Sequence, residues 1–211
     1  MNEILKILKI NHKEKYVKID LDNGESLKIP ISICSNFDLS TNREIDKLEY
    51  KQLKEESERY NCEYKAISYL AIKDRSKFEI ESYLRKKGFS LHIIKEVLSQ
   101  IVNSGYVDDY EYAVKYAREL KRKKPVGVNI IRNKLYSKGI PKDKIKKALK
   151  ESGAYETDFD KVFELAWKKY KSYKDKKNYK HRLYFFLTQR GFEKDVIDRV
   201  LGMISEKLLS E

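Results

Sequence analysis

Three glycines, spaced 51 and 52 residues apart, impose one phrase on this 211-residue chain three times. Leu84, Lys87, Gly88 and Phe89 return as Leu135, Lys138, Gly139 and Ile140, and again as Leu187, Arg190, Gly191 and Phe192. Ile80, Ile131 and Leu183 hold the same place before the glycine, and Ile94, Ile145 and Ile197 stand six residues after it. Val97 with Leu98, Ala148 with Leu149 and Val200 with Leu201 close the pattern. So many matches in register indicate tandem repeats rather than unrelated hairpins.

Each phrase spells helix, glycine, helix. Ile80, Tyr83 and Leu84 fall on one helical face, and Gly88 supplies the left-handed residue that ends the helix. Ser90 predicts an N-cap for a second helix with Ile93, Ile94, Val97, Leu98 and Ile101 inward, closed by Gly105. Asp108 and Asp109 offer caps for a third helix, and Asp108 with Glu111 has capping-box spacing. Ala113, Tyr116, Ala117 and Leu120 open the second repeat; Phe163, Ala166, Trp167 and Tyr170 open the third. The core is expected at Leu84, Leu98, Leu135, Leu149, Leu187 and Leu201.

Ahead of the repeats the period changes. Val17, Ile19 and Leu21 alternate with Lys18 and Asp20, and Leu27, Ile29 and Ile31 answer them across Asn23 and Gly24. That pair predicts a hairpin with a type I′ turn. Residues 4–10 add a third strand, and one face of so small a sheet must pack on the helices that follow. Thr41 and Glu44 have capping-box spacing for a helix running to about Glu58, a solvated connector with Ile45, Leu48 and Leu53 as its sparse apolar positions. Tyr60, Tyr64, Ile67 and Leu70 carry the helical spacing onward. The fold class expected is therefore mainly α: three tandem three-helix repeats in an elongated array, preceded by a small β-hairpin or meander. Boundaries fall at 1–60 for the leader, then 61–112, 113–155 and 156–211 for the repeats.

The net charge is +13, and it is unevenly spread. Residues 1–60 are nearly balanced, whereas residues 113–150 hold 14 Lys and Arg against only Glu119 and Asp143. Residues 161–182 hold nine against Glu164 and Asp175. Such a field suits a polyanion. The basic surface is predicted at Lys121, Arg122, Lys123 and Lys124, an exposed run, joined by Lys115, Arg118, Arg132, Lys134 and Lys138, and by Lys174, Lys176 and Lys177 at the entrance to the third repeat.

The chain carries no phosphate-binding glycine loop, no HExxH and no Cys/His cluster; Cys34 and Cys62 make neither a metal pair nor a disulfide framework. His12, His92 and His181 are far apart, and Asp108 with Asp109 reads as helix caps before it reads as a catalytic carboxylate pair. No apolar run approaches the roughly 20 residues that cross a bilayer, and the first residues lack a signal-peptide pattern. The expectation is a cytoplasmic, non-enzymatic protein without metal or cofactor.

The order Arg75, Ser76, Glu79, Leu84, Lys87, Gly88, Val97, Leu98, Gly105, Asp108, Asp109, Ala113 resembles the RecX family, regulators of the bacterial recombinase RecA. It continues through Gly127, Ile131, Leu135, Lys138, Gly139, Ile140, Ala148 and Leu149, and the segment from Gly105 to Ala113 is its most distinctive piece. The resemblance covers roughly residues 60–205 and implies a curved array lying along the groove of a RecA–DNA filament, restraining recombinase and ATPase activity. The partners implied are the RecA filament and single- and double-stranded DNA, met by a monomer. Two other classes stay open on the residues alone. One is a general DNA-binding helical-repeat protein, although lysine dominates and lysine mostly finds phosphates rather than base edges. The other is an adaptor whose charge only keeps it in solution.

Overall fold

The computed structural model describes residues 4–173 and 177–210. It confirms a mainly helical chain behind a small sheet. The sheet is antiparallel throughout, in the order β3-β2-β1-β4, formed by β1 (Leu5–His12), β2 (Tyr16–Leu21), β3 (Ser26–Pro30) and β4 (Glu44–Ile45). Val17 faces Ile29 and Ile19 faces Leu27, so the alternation puts both apolar rows on one side. The hairpin turn is not type I′. Gly24 alone has a positive φ, +82°, and its amide donates to the Leu21 carbonyl at 3.1 Å. That is a type I turn followed by a left-handed glycine, the three-residue alternative for a right-twisted hairpin.

After the short α1 (Ile31–Cys34), helix α2 (Lys47–Leu70) runs unbroken for 24 residues. Its start corrects the Thr41–Glu44 expectation: Glu44 pairs with β1, and the capping carboxylate is Asp46, which accepts from the Glu49 amide at 2.8 Å. Arg43 holds the Glu49 carboxylate in a two-pronged pair, so strand and cap are fixed together. Nor is α2 a solvated connector. Leu53 is fully buried under the sheet, and the Ser57 hydroxyl accepts from the Lys28 amide at 2.8 Å. Its buried stripe continues as Cys62 and Ala66, while Leu48 and Tyr64 are exposed. Small side chains win that face because α2 lies close against α4, and Tyr64 is turned outward.

The repeats follow as α3 (Lys77–Lys86), α4 (Leu91–Asn103), α5 (Asp109–Lys123), α6 (Val128–Ser137), α7 (Lys142–Glu151), α8 (Phe159–Lys171), α9 (Tyr179–Gln189) and α10 (Lys194–Ser210). Each repeat owns a core: Ile80, Leu84, Ile94 and Leu98 in the first, Ile131, Leu135, Ile145 and Leu149 in the second, Leu183, Leu187, Ile197 and Val200 in the third. Leu201 departs from the expected pattern, being only half-buried at the edge of its core, where Val200 and Ile204 fill the interior. The chain forms two compact units, Met1–Asp74 with Ile80–Val107, and Arg75–Glu79 with Asp108–Glu211.

Within the second unit the phased glycines acquire a second role. Gly88, Gly139 and Gly191 all adopt the left-handed conformation expected of a helix stop. Gly139 and Gly191 are in addition contact points. At Gly139 the turn after α6 meets the segment Arg75–Glu79: the buried Ser76 hydroxyl donates to the Lys138 carbonyl at 2.7 Å, and Phe78 lies against the glycine. At Gly191 the turn after α9 meets the start of α6, where Gly127 and Asn129 amides donate to the Arg190 and Gly191 carbonyls at 2.9 and 3.1 Å. At Gly191 the unpaired amides of one helix start thus satisfy carbonyls at another helix end, whereas at Gly139 a side-chain hydroxyl makes the bond. Asp109 joins this scheme unexpectedly, accepting from the Lys77 amide at 2.8 Å while Asp108 alone caps α5. Ser90 is another such case: it stands at the N-cap of α4 but gives its hydroxyl proton to Glu58, 2.7 Å away.

Candidate partner and nucleic-acid interface

The cations expected to form one surface divide into those built into the fold and those facing outward. Lys138 is built in. Its ammonium lies 2.5 Å from the Glu79 carboxylate, which also accepts from the Ser76 amide at 3.1 Å and the Tyr112 hydroxyl at 3.0 Å. Burial pushes the Glu79 carboxyl up, but the Lys138 ammonium, Ser76 amide and Tyr112 hydroxyl outweigh it and hold it below its ordinary value. A depressed folded-state value means stability that is present above the unfolded carboxylate range and lost as pH falls through the folded value. Glu79→Gln should therefore cost about 2 kcal/mol near neutrality, the scale of hydrogen bonds to a charged group. The difference from wild type should shrink toward zero as the pH drops below about 4. Urea midpoints of both proteins across that range check it, and equal midpoints at neutrality would contradict it.

Lys121 is likewise structural. Half-buried, it donates to the Gly153 carbonyl and, at 3.1 Å, to the Glu156 carbonyl, tying the end of α5 to the α7–α8 connector. That revises its place in a wholly exposed run. Arg132, half-buried, is turned back onto the Asn129 side chain one turn earlier.

The remaining cations of the second repeat are exposed, except the half-buried Lys144. Lys115, Arg118 and Arg122 recur at spacings of three and four, one stripe of α5. Arg118 reaches the Glu151 carboxylate at 3.5 Å, and Lys123 pairs with Glu119 at 2.5 Å; both pairs are largely solvated. Exposed pairs of this kind are worth at most about 1 kcal/mol and yield easily to a competing anion. Lys124 and Lys134 are exposed. Lys177 is also exposed, whereas Lys174 and Lys176 lie outside the described residues. Sequence reasoning missed Lys142, Lys146, Lys147 and Lys150 on α7, all exposed on a helix that packs against α5. Lys142, Lys146 and Lys150 recur every four residues, a spacing that marks them as one helical stripe.

The second repeat thus exposes cations on α5, α6 and α7, a charge distribution that attracts phosphates or carboxylates. Among the described residues no His/Cys/Asp/Glu group is placed to hold a metal ion, and no helix is long and apolar enough to cross a membrane.

By its fold this is a helical-repeat protein of three tandem three-helix domains behind a small sheet. Family models for the first, second and third three-helix domains of RecX match residues 63–100, 108–149 and 156–201. The regulatory protein RecX of Bacillus cytotoxicus is 33% identical over 200 residues, covering 92% of this chain and 74% of that protein. Its counterpart in a Geobacillus species is 31% identical over 193 residues, covering 88% and 69%. The chain belongs to the RecX family of regulatory proteins. Two solved structures share the fold. A crystal structure of regulatory protein RecX superposes with a TM-score of 0.73 at 22% identity, covering 94% of this chain and 99% of the other. That of RecX from Lactobacillus salivarius gives 0.60 at 23%, covering 70% and 97%.

Proposed function

We propose that this protein binds the RecA–DNA filament along its groove and lowers recombinase and ATPase activity, acting in DNA repair and recombination without chemistry of its own. The observation that carries this is the set of exposed cations of the second repeat, with Arg122, Lys134 and the α7 lysines on helices that share a buried core, and Lys124 just past the end of α5, in a RecX-family chain. A filament presents phosphates and acidic side chains at regular intervals, and rigid helices hold cations against such an array at little conformational cost. Family membership supports a protein partner, and the charge supports a polyanion beside it. The test is single-strand-dependent ATP hydrolysis by the cognate RecA, titrated with this protein. A dose-dependent fall at substoichiometric ratio is expected; an unchanged rate at excess would overturn the proposal.

A further inference from the structure

The third repeat holds a recess that the charge pattern alone does not reveal. It is shallow, about 510 Å³, and mostly apolar in lining, set between the end of α8 and the outer side of α9. Tyr173, nearly buried, lies beneath the Arg182 guanidinium, whose centre is 3.8 Å from the ring centroid. Lys169 sits 5.5 Å from the same ring and 5.6 Å from Phe186, and Arg190 lies 4.7 Å over Phe186. Lys169 and Arg190 are thus steadied by ring faces, which attract a cation without neutralising it. The only acidic residue between Lys168 and Arg190 is Asp175. In its lining, Phe185 leaves 60% of its surface in water.

A single exposed ring is ordinary. An exposed ring bordered by ring-held cations, in a stretch so poor in acids, is complementary to a chain that alternates flat rings with negative charges. Single-stranded nucleic acid has that chemistry. A duplex does not offer it, because its base faces are already stacked on one another. We propose that the recess seats one base of a single strand, the base stacked on Phe185 and its flanking phosphates on Lys169 and Arg190. The inference rests on the filament reading for the presence of such a strand, and deepens it by giving the strand a seat outside the second repeat. Base–aromatic stacking tolerates every base, so the seat is expected to be indifferent to sequence.

The experiment uses the full chain without RecA and an oligodeoxythymidine carrying one 2-aminopurine. Wild type should bind it and change the 2-aminopurine fluorescence. Phe185→Ala, at an exposed site, should fold normally by circular dichroism and raise Kd by at least about 5-fold, the lower end of stacking on one ring. The slope of log Kd against log salt should not move. Lys169→Gln should reduce that slope by about 0.7, one phosphate contact on a single strand. On an abasic strand of equal length, Phe185→Ala and wild type should bind alike. Wild-type Kd and fluorescence in Phe185→Ala, or an equal loss on the abasic strand, would overturn the proposal. So would tighter binding to polyglutamate than to the strand, which would assign the recess to an acidic peptide. Inhibition of RecA with no binding to naked strands would remove this inference and leave the filament reading standing. Strand binding without inhibition would do the reverse.

Discussion

Gly191→Ala should be among the most destabilising single-methyl changes in the chain, and Gly88→Ala, at the matching place in the first repeat, should be mild. Both glycines have φ above +80°, where an L-residue is strained by about 1 kcal/mol. They part in what a Cβ would meet. At Gly88 nothing lies within 4 Å, whereas at Gly191 the new atom would sit 2.5 Å from the Ile130 amide nitrogen and 2.7 Å from its side chain. That nitrogen belongs to the first turn of α6 and cannot rotate aside, so overpacking adds roughly 1–3 kcal/mol. Gly127→Ala separates the two causes. Its φ of −76° suits alanine, yet a Cβ there would lie 2.0 Å from the Gly191 carbonyl carbon, so its entire cost measures the approach of the two backbones. Urea midpoints should fall in Gly191→Ala and Gly127→Ala by clearly more than in Gly88→Ala. Equal shifts at Gly88 and Gly191 would mean that the third repeat does not close on the start of α6.

The glycine contrast also marks how far the sequence could be read. Helix stops at Gly88, Gly105, Gly139 and Gly191 were legible because left-handed backbone is a local demand with a residue type attached to it. The partner of each stop was not, since Gly127 lies 64 residues from Gly191 and nothing in its neighbourhood says that another backbone passes within van der Waals reach. The repeat cores were legible for a similar reason: helical spacing alone turns Leu84, Leu135 and Leu187 inward. Helix α2 resisted because its buried face, Leu53 apart, is made of the small residues Ser57, Cys62 and Ala66, while the larger Leu48 and Tyr64 are exposed. The hidden criterion there is size, imposed by α4. In the candidate interface, composition located the basic repeat but could not separate cations that bind from cations that hold the fold. Lys121 and Lys138 look like their neighbours until carbonyls of the next connector and the Glu79 carboxylate are seen to claim them. The aromatic recess was missed because Tyr173 follows the end of α8 while Phe185 and Phe186 lie on α9, so no short window contains it.

That sorting changes how the basic face should be tested, and it yields the largest functional effect expected. Reversing all of Lys121–Lys124 would mix two consequences, because Lys121→Glu alone should detach the α7–α8 connector and lower the unfolding midpoint. The informative variant reverses Arg122, Lys124 and Lys134 to Glu and keeps Lys121, since all three reversed residues are exposed and lie outside the ion pairs that join elements. It should unfold at the wild-type midpoint, yet need at least about ten times the concentration to inhibit RecA, equivalent to about 1.4 kcal/mol of binding spread over three side chains. Its inhibition should also depend less on salt, because each phosphate left without its cation takes about 0.7 off the logarithmic slope on a single strand. Lys121→Glu should show the opposite pattern, a lowered midpoint with inhibition preserved per folded molecule. If the triple variant instead inhibits at wild-type concentrations, these residues form a solvated face, and the cations that meet the filament must be sought on α7, where Lys142, Lys146 and Lys150 remain outward.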